Sequence, residues 1–451
     1  MVLRAGLLAI LSFVGLLDES AVAQQLAPLL PLPELKACQT SVRPQLPEKW
    51  RGVFLMAPFT NEQLVLSKIQ YDASLPAMHV RLYGLRAGTL DLFIEGSETY
   101  ELASQGDEVS SCKKLGDTGW RPLPQDWLSP KSQCAGVAPL GKTDVDWWKT
   151  PTDPAPSTYW VWYNTSDKTP FRLAFQKASD RLAPLSKYAL SYQLHFEPDV
   201  NLMLRDISRA CHDTNESARA GPLDLDRRIA SLSSKGERAS QAIEQLAPEI
   251  AACPSTPLPI WPDKLAITGL MTPWDSDESP YATEVFYDWS LRAQRTRTFP
   301  YSHGPFRAQD ALLFGRGGYN VTYRHEAGPT CEAVLPGTLR PNWSSRGPCS
   351  CEAMLADTSA LTPYGRTRIF TCPLAPPRAA WAWYALDGRP TSFAVTSLPG
   401  DQGFGLFAVL DYRDWLAGHQ APPGVFDKPR ECQAHGLRIH ADTSKCSTCH
   451  L

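Results

Sequence analysis

The sequence predicts a mainly β protein of the α+β class, with two tandem antiparallel β units joined by a helical linker. Two observations carry this prediction. Short strand candidates recur at spacings of 8–14 residues, which is typical of antiparallel sheets and not of βαβ units. A set of sequence motifs also occurs twice in the same order along the chain.

The repeated set begins with a methionine, continues with Tyr-Asp and Arg-Pro, and ends with Trp-x-Trp-Tyr. The methionine and the tyrosine are 15 residues apart in the first copy and 16 in the second. This order predicts a duplicated β unit of roughly 150 residues, a usual domain size. The copies are Met56, Tyr71-Asp72, Arg121-Pro122 and Trp160-Val161-Trp162-Tyr163, then Met271, Tyr287-Asp288, Arg340-Pro341 and Trp381-Ala382-Trp383-Tyr384.

The predicted organisation has six parts, and the two β units are the largest. They are a signal peptide (1–23), an N-terminal extension (24–47), a first β unit (48–201), a helical linker (202–260), a second β unit (261–420) and a Cys-containing C-terminal tail (421–451).

The first 23 residues read as a secretory signal. Arg4 precedes an apolar run from Leu7 to Leu17, which is too short to span a bilayer, and Ala21-Val22-Ala23 is a small-x-small cleavage site. We therefore expect a secreted protein whose mature chain begins near Gln24 and has no transmembrane segment. A net charge of −3 without a basic cluster predicts no nucleic-acid partner.

Twelve cysteines, an even number in an exported chain, predict disulfide bonds. Spacing alone leaves their connectivity open, and one hypothesis pairs Cys211 with Cys253 to close the linker into a hairpin. Four sequons predict glycosylation at Asn164, Asn215, Asn320 and Asn342. The disulfide candidates are Cys112, Cys134, Cys211, Cys253, Cys331, Cys349, Cys351 and Cys372.

In the first unit, alternating or apolar runs bounded by turn residues predict strands, and the region from Cys112 to Pro154 is expected to be irregular. Within it, Asp144-Val145-Asp146 reads as a solvated acidic loop. The predicted strands are 50–58, 64–69, 78–83, 89–94, 158–163, 169–175 and 189–196.

From Leu223 to Ile250 the apolar residues have helical spacing, which predicts the linker helix. In the second unit Asp387-Gly388 between two aromatic or β-branched runs predicts a hairpin turn. The predicted strands there are 284–289, 295–299, 310–314, 319–325, 379–386, 392–396 and 404–412.

The motifs of the second unit resemble a family of secreted plant proteins of unknown function. Members of that family read Tyr-Asp-Trp, Leu-Arg-Pro-Asp-Trp, Cys, Trp-Tyr-Tyr and Arg-Pro. The resemblance is best over residues 262–420; the first unit lacks the Trp after Tyr71-Asp72. The matching residues are Tyr287-Asp288-Trp289, Leu339-Arg340-Pro341-Asn342-Trp343, Cys349, Trp381-Ala382-Trp383-Tyr384 and Arg389-Pro390.

The resemblance implies that each unit is a curled antiparallel β half-barrel, as in bacterial lipoprotein carriers of the LolA type and in ependymin. Such a sheet has an apolar concave face that a helix or loops close, and relatives use this face for acyl chains. The candidate ligand-binding residues are Trp160, Trp162, Trp381 and Trp383, which alternation places on one face of their strands. The alternative is that these aromatic residues are simply core.

Cys446-Ser447-Thr448-Cys449-His450 in the tail matches a c-type haem attachment motif, and zinc ligation with Cys432 and His440 is another alternative. Disulfides are the favoured interpretation, because the motif ends one residue before the C-terminus. We therefore expect no cofactor and no metal.

Catalytic motifs with a glycine-flanked serine, a zinc-binding His-Glu-x-x-His or a phosphate-binding glycine loop are missing from the sequence. The leading hypothesis is a non-enzymatic, secreted glycoprotein that binds a lipid or another hydrophobic or amphipathic molecule. The alternatives are a glycan-acting enzyme, after a glycosyltransferase label attached to the plant family, and a structural or adhesion protein.

Overall fold

In the computed structural model, the protein folds into two large antiparallel sheets. The structure describes residues 27–39, 42–59, 64–84, 88–105, 108–140, 142–151, 158–176, 185–200, 204–212, 225, 228, 250–251, 253, 257–272, 280–301, 307–315, 317–324, 329–334, 349–356, 365–373, 379–397 and 405–433. The predicted signal peptide lies outside these residues, as does most of the predicted linker helix.

The first sheet has eleven strands in the order β6-β5-β4-β3-β2-β1-β11-β10-β9-β8-β7. Its strands are β1 (Lys49–Pro58), β2 (Val65–Asp72), β3 (Ala77–Gly84), β4 (Thr89–Glu95), β5 (Glu98–Gln105), β6 (Glu108–Gly116), β7 (Gln133–Leu140), β8 (Thr143–Pro151), β9 (Thr158–Asn164), β10 (Pro170–Phe175) and β11 (Tyr188–Pro198). A 3₁₀ turn, Leu185–Lys187, precedes β11, and helix α1, Leu204–His212, follows it.

The second sheet has twelve strands in the order β12-β19-β20-β21-β22-β23-β13-β14-β15-β16-β17-β18. Its strands are β12 (Ile250–Ala251), β13 (Lys264–Thr272), β14 (Tyr281–Asp288), β15 (Ala293–Pro300), β16 (Ala308–Phe314), β17 (Gly317–Tyr323), β18 (Thr330–Val334), β19 (Ser350–Leu355), β20 (Thr367–Pro373), β21 (Ala379–Ala385), β22 (Pro390–Ser397) and β23 (Gly405–Ala417). The short helix α2, Arg430–Gln433, follows this sheet.

The two sheets share one topology, in which the long first strand lies between the second and the last strand of its unit. β1 pairs with β2 and β11, and β13 pairs with β14 and β23. A β-bulge falls at the same step of both first–last pairs, between Val53 and Phe54 and between Thr268 and Gly269. The predicted fold class, mainly β with two curled antiparallel sheets, is confirmed. The duplication itself stays a prediction that this shared topology supports.

The disulfide framework follows the same plan in both units. One bond joins the segment before the long first strand, β1 or β13, to a strand at or next to one edge of the sheet: Cys38–Cys134 on the edge strand β7, and Cys253–Cys351 on β19 beside the short edge strand β12. A second joins the opposite edge strand to the helix after the last strand, Cys112–Cys211 and Cys331–Cys432. The sequence separations are 96 and 99 residues in the first unit and 98 and 101 in the second. A fifth bond, Cys349–Cys372, belongs to the second unit.

The hypothesis that Cys211 pairs with Cys253 is wrong, because each bonds within its own unit: Cys211 to Cys112 on the edge strand β6, and Cys253 to Cys351 on β19. The linker is therefore not closed on itself by that bond. The N-terminal extension is tied to the first sheet by a disulfide, since Cys38 bonds to Cys134 on β7.

The prediction of an irregular region from Cys112 to Pro154 is also wrong in part, because β7 and β8 lie within it. These strands contain glycine, proline and two aspartates, which are residues typical of turns, and the sequence therefore did not predict them. The acidic cluster is not a solvated loop: Asp146 lies on β8, is 3% exposed, and accepts a hydrogen bond from Lys168 at 2.5 Å. A local ion pair thus allows a charged residue to occupy a buried strand position.

Each face of the first sheet is covered by a different part of the chain. The irregular segment between β6 and β7 covers one side, where Trp127 stacks on Tyr159 and donates a hydrogen bond from its indole to the Tyr163 hydroxyl at 2.8 Å. Helix α1 covers the other side near the β6 edge, where Ile207 and Cys211 pack with Phe93.

The rest of that second side packs against the second sheet, and we call the contact the seam. A single core cluster crosses it, because Leu55 and Leu190 of the first sheet belong to the same cluster as Leu270, Ile369 and Val409 of the second. The side of each sheet that contributes to this contact is called its seam face.

Candidate functional site

The seam face of the first sheet presents a continuous row of residues, each directly opposite the next on the neighbouring strand. Directly opposite residues share a face of the sheet, so all of them point toward the seam. The row runs across β8, β9, β10, β11, β1 and β2 as Trp147, Trp162, Arg172, Tyr192, Leu55 and Leu66.

The second sheet has an equivalent row at the same register positions, counted from the bulge shared by the two units. The row runs across β20, β21, β22, β23, β13 and β14 as Ile369, Trp383, Ser392, Asp411, Leu270 and Ala282. Arg172 therefore holds the position that Ser392 holds in the second sheet, and Tyr192 holds the position of Asp411.

The two rows meet at an ion pair that is closed off from solvent. Arg172 donates to both carboxylate oxygens of Asp411, Nη1 to Oδ1 and Nη2 to Oδ2, each at 2.8 Å. Their side chains are 0% and 4% exposed, and the Ser392 hydroxyl donates to Asp411 Oδ1 at 2.9 Å. Such a bidentate pair offsets the cost of desolvating both charges only when its geometry is good, as it is here.

Aromatic rings enclose the guanidinium of Arg172. Its Cζ lies 4.0 Å from the centroid of the Trp162 ring and 5.7 Å from that of Tyr192. Trp147 meets Trp162 edge-on, with centroids 5.4 Å apart, and Trp160 lies at 6.3 Å on the other side. A cation held over an indole face in a dry environment contributes about 2 kcal/mol.

The surroundings of Arg172 and Tyr192 favour a charged guanidinium and a neutral phenol. Burial alone lowers the pKa of Arg172, but Asp411 and Tyr192 raise it above its ordinary value, so the guanidinium stays charged. Burial raises the pKa of Tyr192 to about 12, although Arg172 opposes the shift. The phenol is therefore neutral at physiological pH, and the net charge of Arg172, Asp411, Ser392 and Tyr192 together is zero.

Several buried polar atoms on the seam faces have no hydrogen-bond partner among the described residues. Three are donors in the first sheet: the indole N–H groups of Trp147 and Trp162, and Nε of Arg172. Two are hydroxyls in the second sheet, on Thr272 and Thr371. Each such group costs about 1–3 kcal/mol unless something satisfies it, so the described residues of the seam leave hydrogen-bonding groups free for a further partner.

Of the four predicted ligand-binding tryptophans, the structure describes the side chains of two. Trp160 and Trp162 are 3% and 0% exposed and lie on the seam face of β9. Trp381 and Trp383 lie on β21 at the equivalent register positions, and their side chains are outside the described residues. Ligand contact by these residues stays a prediction.

Two of the four predicted glycan acceptors lie in the described part of the chain. Asn164 is half-buried at the β9–β10 hairpin, and its Oδ1 accepts hydrogen bonds from the backbone and hydroxyl of Ser166 at 3.0 and 2.8 Å. Asn320 lies on β17, also half-buried. Asn215 and Asn342 fall outside the described residues, as does the tail motif at 446–450. A second acidic run, Asp275-Ser276-Asp277-Glu278, which the sequence predicts to be a solvated loop, also lies outside them.

An enzyme acting on glycans would need two acidic groups, or an acid and a histidine, facing each other across a cleft. His79 and Asp91 are hydrogen-bonded at 2.5 Å, but Asp91 also accepts from Arg81 at 2.8 and 2.6 Å. Because Arg81 balances this buried carboxylate, the cluster is typical of a structural ion pair. Within the described ranges, no group of three His, Cys, Asp or Glu side chains could hold a metal ion.

Sequence reasoning missed Arg172 and Asp411, which are at the centre of the seam. One signal was available: Arg172 interrupts an otherwise apolar strand, Phe171 to Phe175, all of it buried. A lone charge in a fully buried strand predicts a partner of opposite sign, but the sequence does not say where that partner lies.

A cavity of about 290 Å³ near Val42, Arg43 and Asp126 is smaller than usual ligand pockets.

All eight predicted disulfide cysteines are bonded, and five disulfides among the described residues indicate an oxidising compartment. No helix in the part of the chain that the structure describes combines the length and apolarity that a membrane crossing requires.

No family model matches the chain, and no curated protein sequence matches it. The resemblance to the secreted plant family is therefore not supported.

Solved structures give weak likenesses. An uncharacterized conserved protein from Thermus thermophilus aligns with a TM-score of 0.25 and 13% identity, over 39% of this chain and 91% of that one. A LolA superfamily protein from Nitrosomonas europaea aligns at 0.20 and 15%, over 42% and 97%. MucB in complex with MucA(peri) aligns at 0.21 and 10%, over 64% and 87%. Likenesses at these TM-scores assign neither a family nor a function to this chain.

Proposed function

We propose that this is a secreted, disulfide-bonded, non-enzymatic binding protein whose ligand is a neutral amphipathic molecule held at the seam between its two half-barrel units. One observation carries the proposal. The seam combines apolar and aromatic rows from both sheets with buried hydrogen-bonding groups that no described residue satisfies.

The chemistry of the ligand follows from the groups around Arg172. The unsatisfied atoms of the first sheet are donors, so the polar end of the ligand would be an acceptor such as an ester or amide carbonyl. The charge of Arg172 is already balanced by Asp411, which disfavours an additional buried anion. An acyl tail would lie against Leu55, Leu190 and Val409 and take the place of part of the contact between the sheets.

The test is a titration of the delipidated protein with a monoacylglycerol, a fatty acid anion and a lysophospholipid. The proposal expects saturable binding, tightest for the neutral monoacylglycerol. Binding of all three with the same affinity would argue for an unspecific apolar surface.

A matched pair of variants locates the site, because Trp147 and Trp148 are adjacent on β8, equally buried, and face opposite sides of the sheet. Trp147→Phe removes a seam donor and is expected to weaken monoacylglycerol binding about tenfold, equivalent to the loss of one good hydrogen bond. Trp148→Phe makes the same chemical change on the other side and should leave the affinity unaltered. Equal losses in both variants would contradict a seam site.

A structural or adhesion protein is the second candidate, and the bidentate ion pair itself favours it. A buried pair with such geometry is also what a permanent interface between two units needs. Under this alternative no amphiphile binds saturably, and the protein is equally stable with and without monoacylglycerol. A ligand that binds only the folded protein would instead stabilise it.

A further inference from the structure

Residues 27–33 of the N-terminal extension lie along the second sheet through a set of specific contacts. Glu284 on β14 accepts hydrogen bonds from two consecutive backbone N–H groups, those of Leu29 and Leu30, at 2.9 Å each. Arg297 on β15 donates to the carbonyl of Ala27 at 3.0 Å, and the Tyr301 hydroxyl donates to the carbonyl of Pro33. Side chains of the second unit therefore bind both N–H and C=O groups of this segment's backbone.

Two of the side chains that make these contacts, Glu284 and Arg297, also bond to each other. Glu284 is 0% exposed, and Arg297 donates to its other oxygen at 2.8 Å, which fixes the carboxylate with one oxygen turned toward the extension. Next to this pair, Leu30 packs on a small apolar cluster that contains Ala266, Phe286 and Val425. A buried charge beside an apolar socket resembles the way folded domains recognise extended peptides.

The first sheet lacks this arrangement. The equivalent strands β14 and β2 end at Asp288 and Asp72. Four residues before these ends, β14 has Glu284 and β2 has Lys68. At the positions of Ala266 and Phe286 the first sheet has Arg51 and Gln70, which are polar. The contacts therefore belong to the second unit alone and are not a by-product of the shared fold.

We propose that the second sheet carries a peptide-binding groove, formed by Glu284, Arg297, Tyr301 and the Ala266–Phe286–Val425 cluster, whose occupant is the chain's own residues 27–33. The groove takes an extended segment with two adjacent free N–H groups and a leucine at the second of them. The occupant is bound in cis and joins the units, because the extension continues to the first sheet, where Lys36 pairs with Val137 and Cys38 bonds to Cys134.

The test separates the groove from its occupant. A variant whose chain begins at Glu34 keeps Cys38 and its disulfide but loses the bound segment. A fluorescent peptide with the sequence of residues 27–36 is then titrated against it by anisotropy. The proposal expects saturable binding to the shortened chain and little binding to the full chain, whose groove is already filled.

Two changes probe the recognition, one on each side of the contact. Glu284→Gln in the shortened chain, or N-methylation of Leu30 in the peptide, should each weaken binding about tenfold, as expected for one charge-assisted hydrogen bond. Lys68→Gln at the equivalent position of the first sheet is the control and should change nothing. Binding that survives both changes, or a folded shortened chain that does not bind the peptide, overturns the proposal.

A second measurement keeps the proposal open to refutation if the shortened chain does not fold. In the full chain, Glu284→Gln should increase hydrogen exchange at the amides of Leu29 and Leu30 about tenfold, while Lys68→Gln leaves it unaltered. Unchanged exchange overturns the proposal. A full-length dimer with exchanged N-terminal extensions, measured by light scattering, would mean that the occupant is a second copy and would overturn binding in cis.

Discussion

Arg172 of the first sheet and Asp411 of the second form a bidentate ion pair across the seam, although neither charge recurs at the equivalent position of the other sheet. The equivalents are Ser392 and Tyr192, which lie beside the pair. Equivalent positions of the two sheets therefore meet as they would across a two-fold axis. The charges do not follow this symmetry, because the arginine occurs only in the first sheet and the aspartate only in the second. If two first units met in this way, Arg172 would face Tyr192 with no anion, so the pair favours contact between unlike units.

The first prediction concerns this ion pair. Arg172→Met should lower the free energy of unfolding by about 3–5 kcal/mol, because it leaves the Asp411 carboxylate buried without a counter-charge. The double variant Arg172→Met/Asp411→Leu should recover most of that loss, since an apolar pair of similar size needs no compensation. Urea denaturation measures both.

The control for this prediction is the partly exposed pair between Arg51 and Glu197 on neighbouring strands. Arg51→Met should cost less than about 1 kcal/mol. A small loss in Arg172→Met, or a double variant no more stable than the single one, would contradict the central role of the pair.

The second prediction concerns alkaline pH. Burial raises the pKa of Tyr192 from 10.0 to about 12, so the folded chain retains this proton longer than the unfolded chain does. The associated stability is fully present below pH 10 and is lost as the pH rises toward 12, and the loss at pH 11 is on the order of 1 kcal/mol. Tyr192→Phe should lose about that much less stability than the natural protein between about pH 9 and pH 11. Parallel losses of the two proteins over this range would speak against a buried phenol.

The third prediction concerns the tyrosine that ends each Trp-x-Trp-Tyr motif. Tyr163 accepts a hydrogen bond from the indole of Trp127 at 2.8 Å, and Tyr384 accepts one from Trp261 at 3.1 Å. Tyr163→Phe and Tyr384→Phe should each lower the free energy of unfolding by about 1–3 kcal/mol, because a buried indole N–H is left unpaired. Thermal denaturation of both variants checks this. If either substitution is neutral, the motif has different roles in the two units.

The fourth prediction concerns disulfide connectivity. Digestion of the unreduced protein followed by mass spectrometry should yield a peptide pair linked through Cys112–Cys211. It should also yield a three-peptide species, in which the peptide that contains both Cys349 and Cys351 is bonded to Cys372 and to Cys253. A fragment that links Cys211 to Cys253 would contradict the repeated framework. Alanine at both Cys112 and Cys211 should cost about 2–5 kcal/mol, the usual effect of removing a native disulfide from an exported domain.

The sequence predicts the sheets well where apolar runs are bounded by turn residues. The strands from Trp50 to Ile94 are found close to their predicted bounds, and Asp387-Gly388 closes the β21–β22 hairpin as expected. It fails at β7 and β8, where Gly136 lies at a bulge and Asp146 is buried against Lys168. Tertiary partners, which local patterns do not reveal, make those strands stable.

The seam could be predicted only in part, for a related reason. Alternation correctly separates Trp160 and Trp162 from Tyr163, and these tryptophans are buried. What lies opposite them depends on a contact between residues 239 positions apart, Arg172 and Asp411. Spacing along the chain carries no information about such a partner.

Photoaffinity labelling with a monoacylglycerol that carries a diazirine in its acyl tail, followed by peptide mapping, would show directly whether the ligand lies at the seam. A ligand site at the seam predicts labels on both of its sides, in peptides that contain β9 and β10 and in peptides that contain β22 and β23. These labels should disappear when unlabelled monoacylglycerol is added in excess. Labels confined to the small cavity near Val42 and Asp126, or labels that excess ligand does not displace, would contradict a site at the seam.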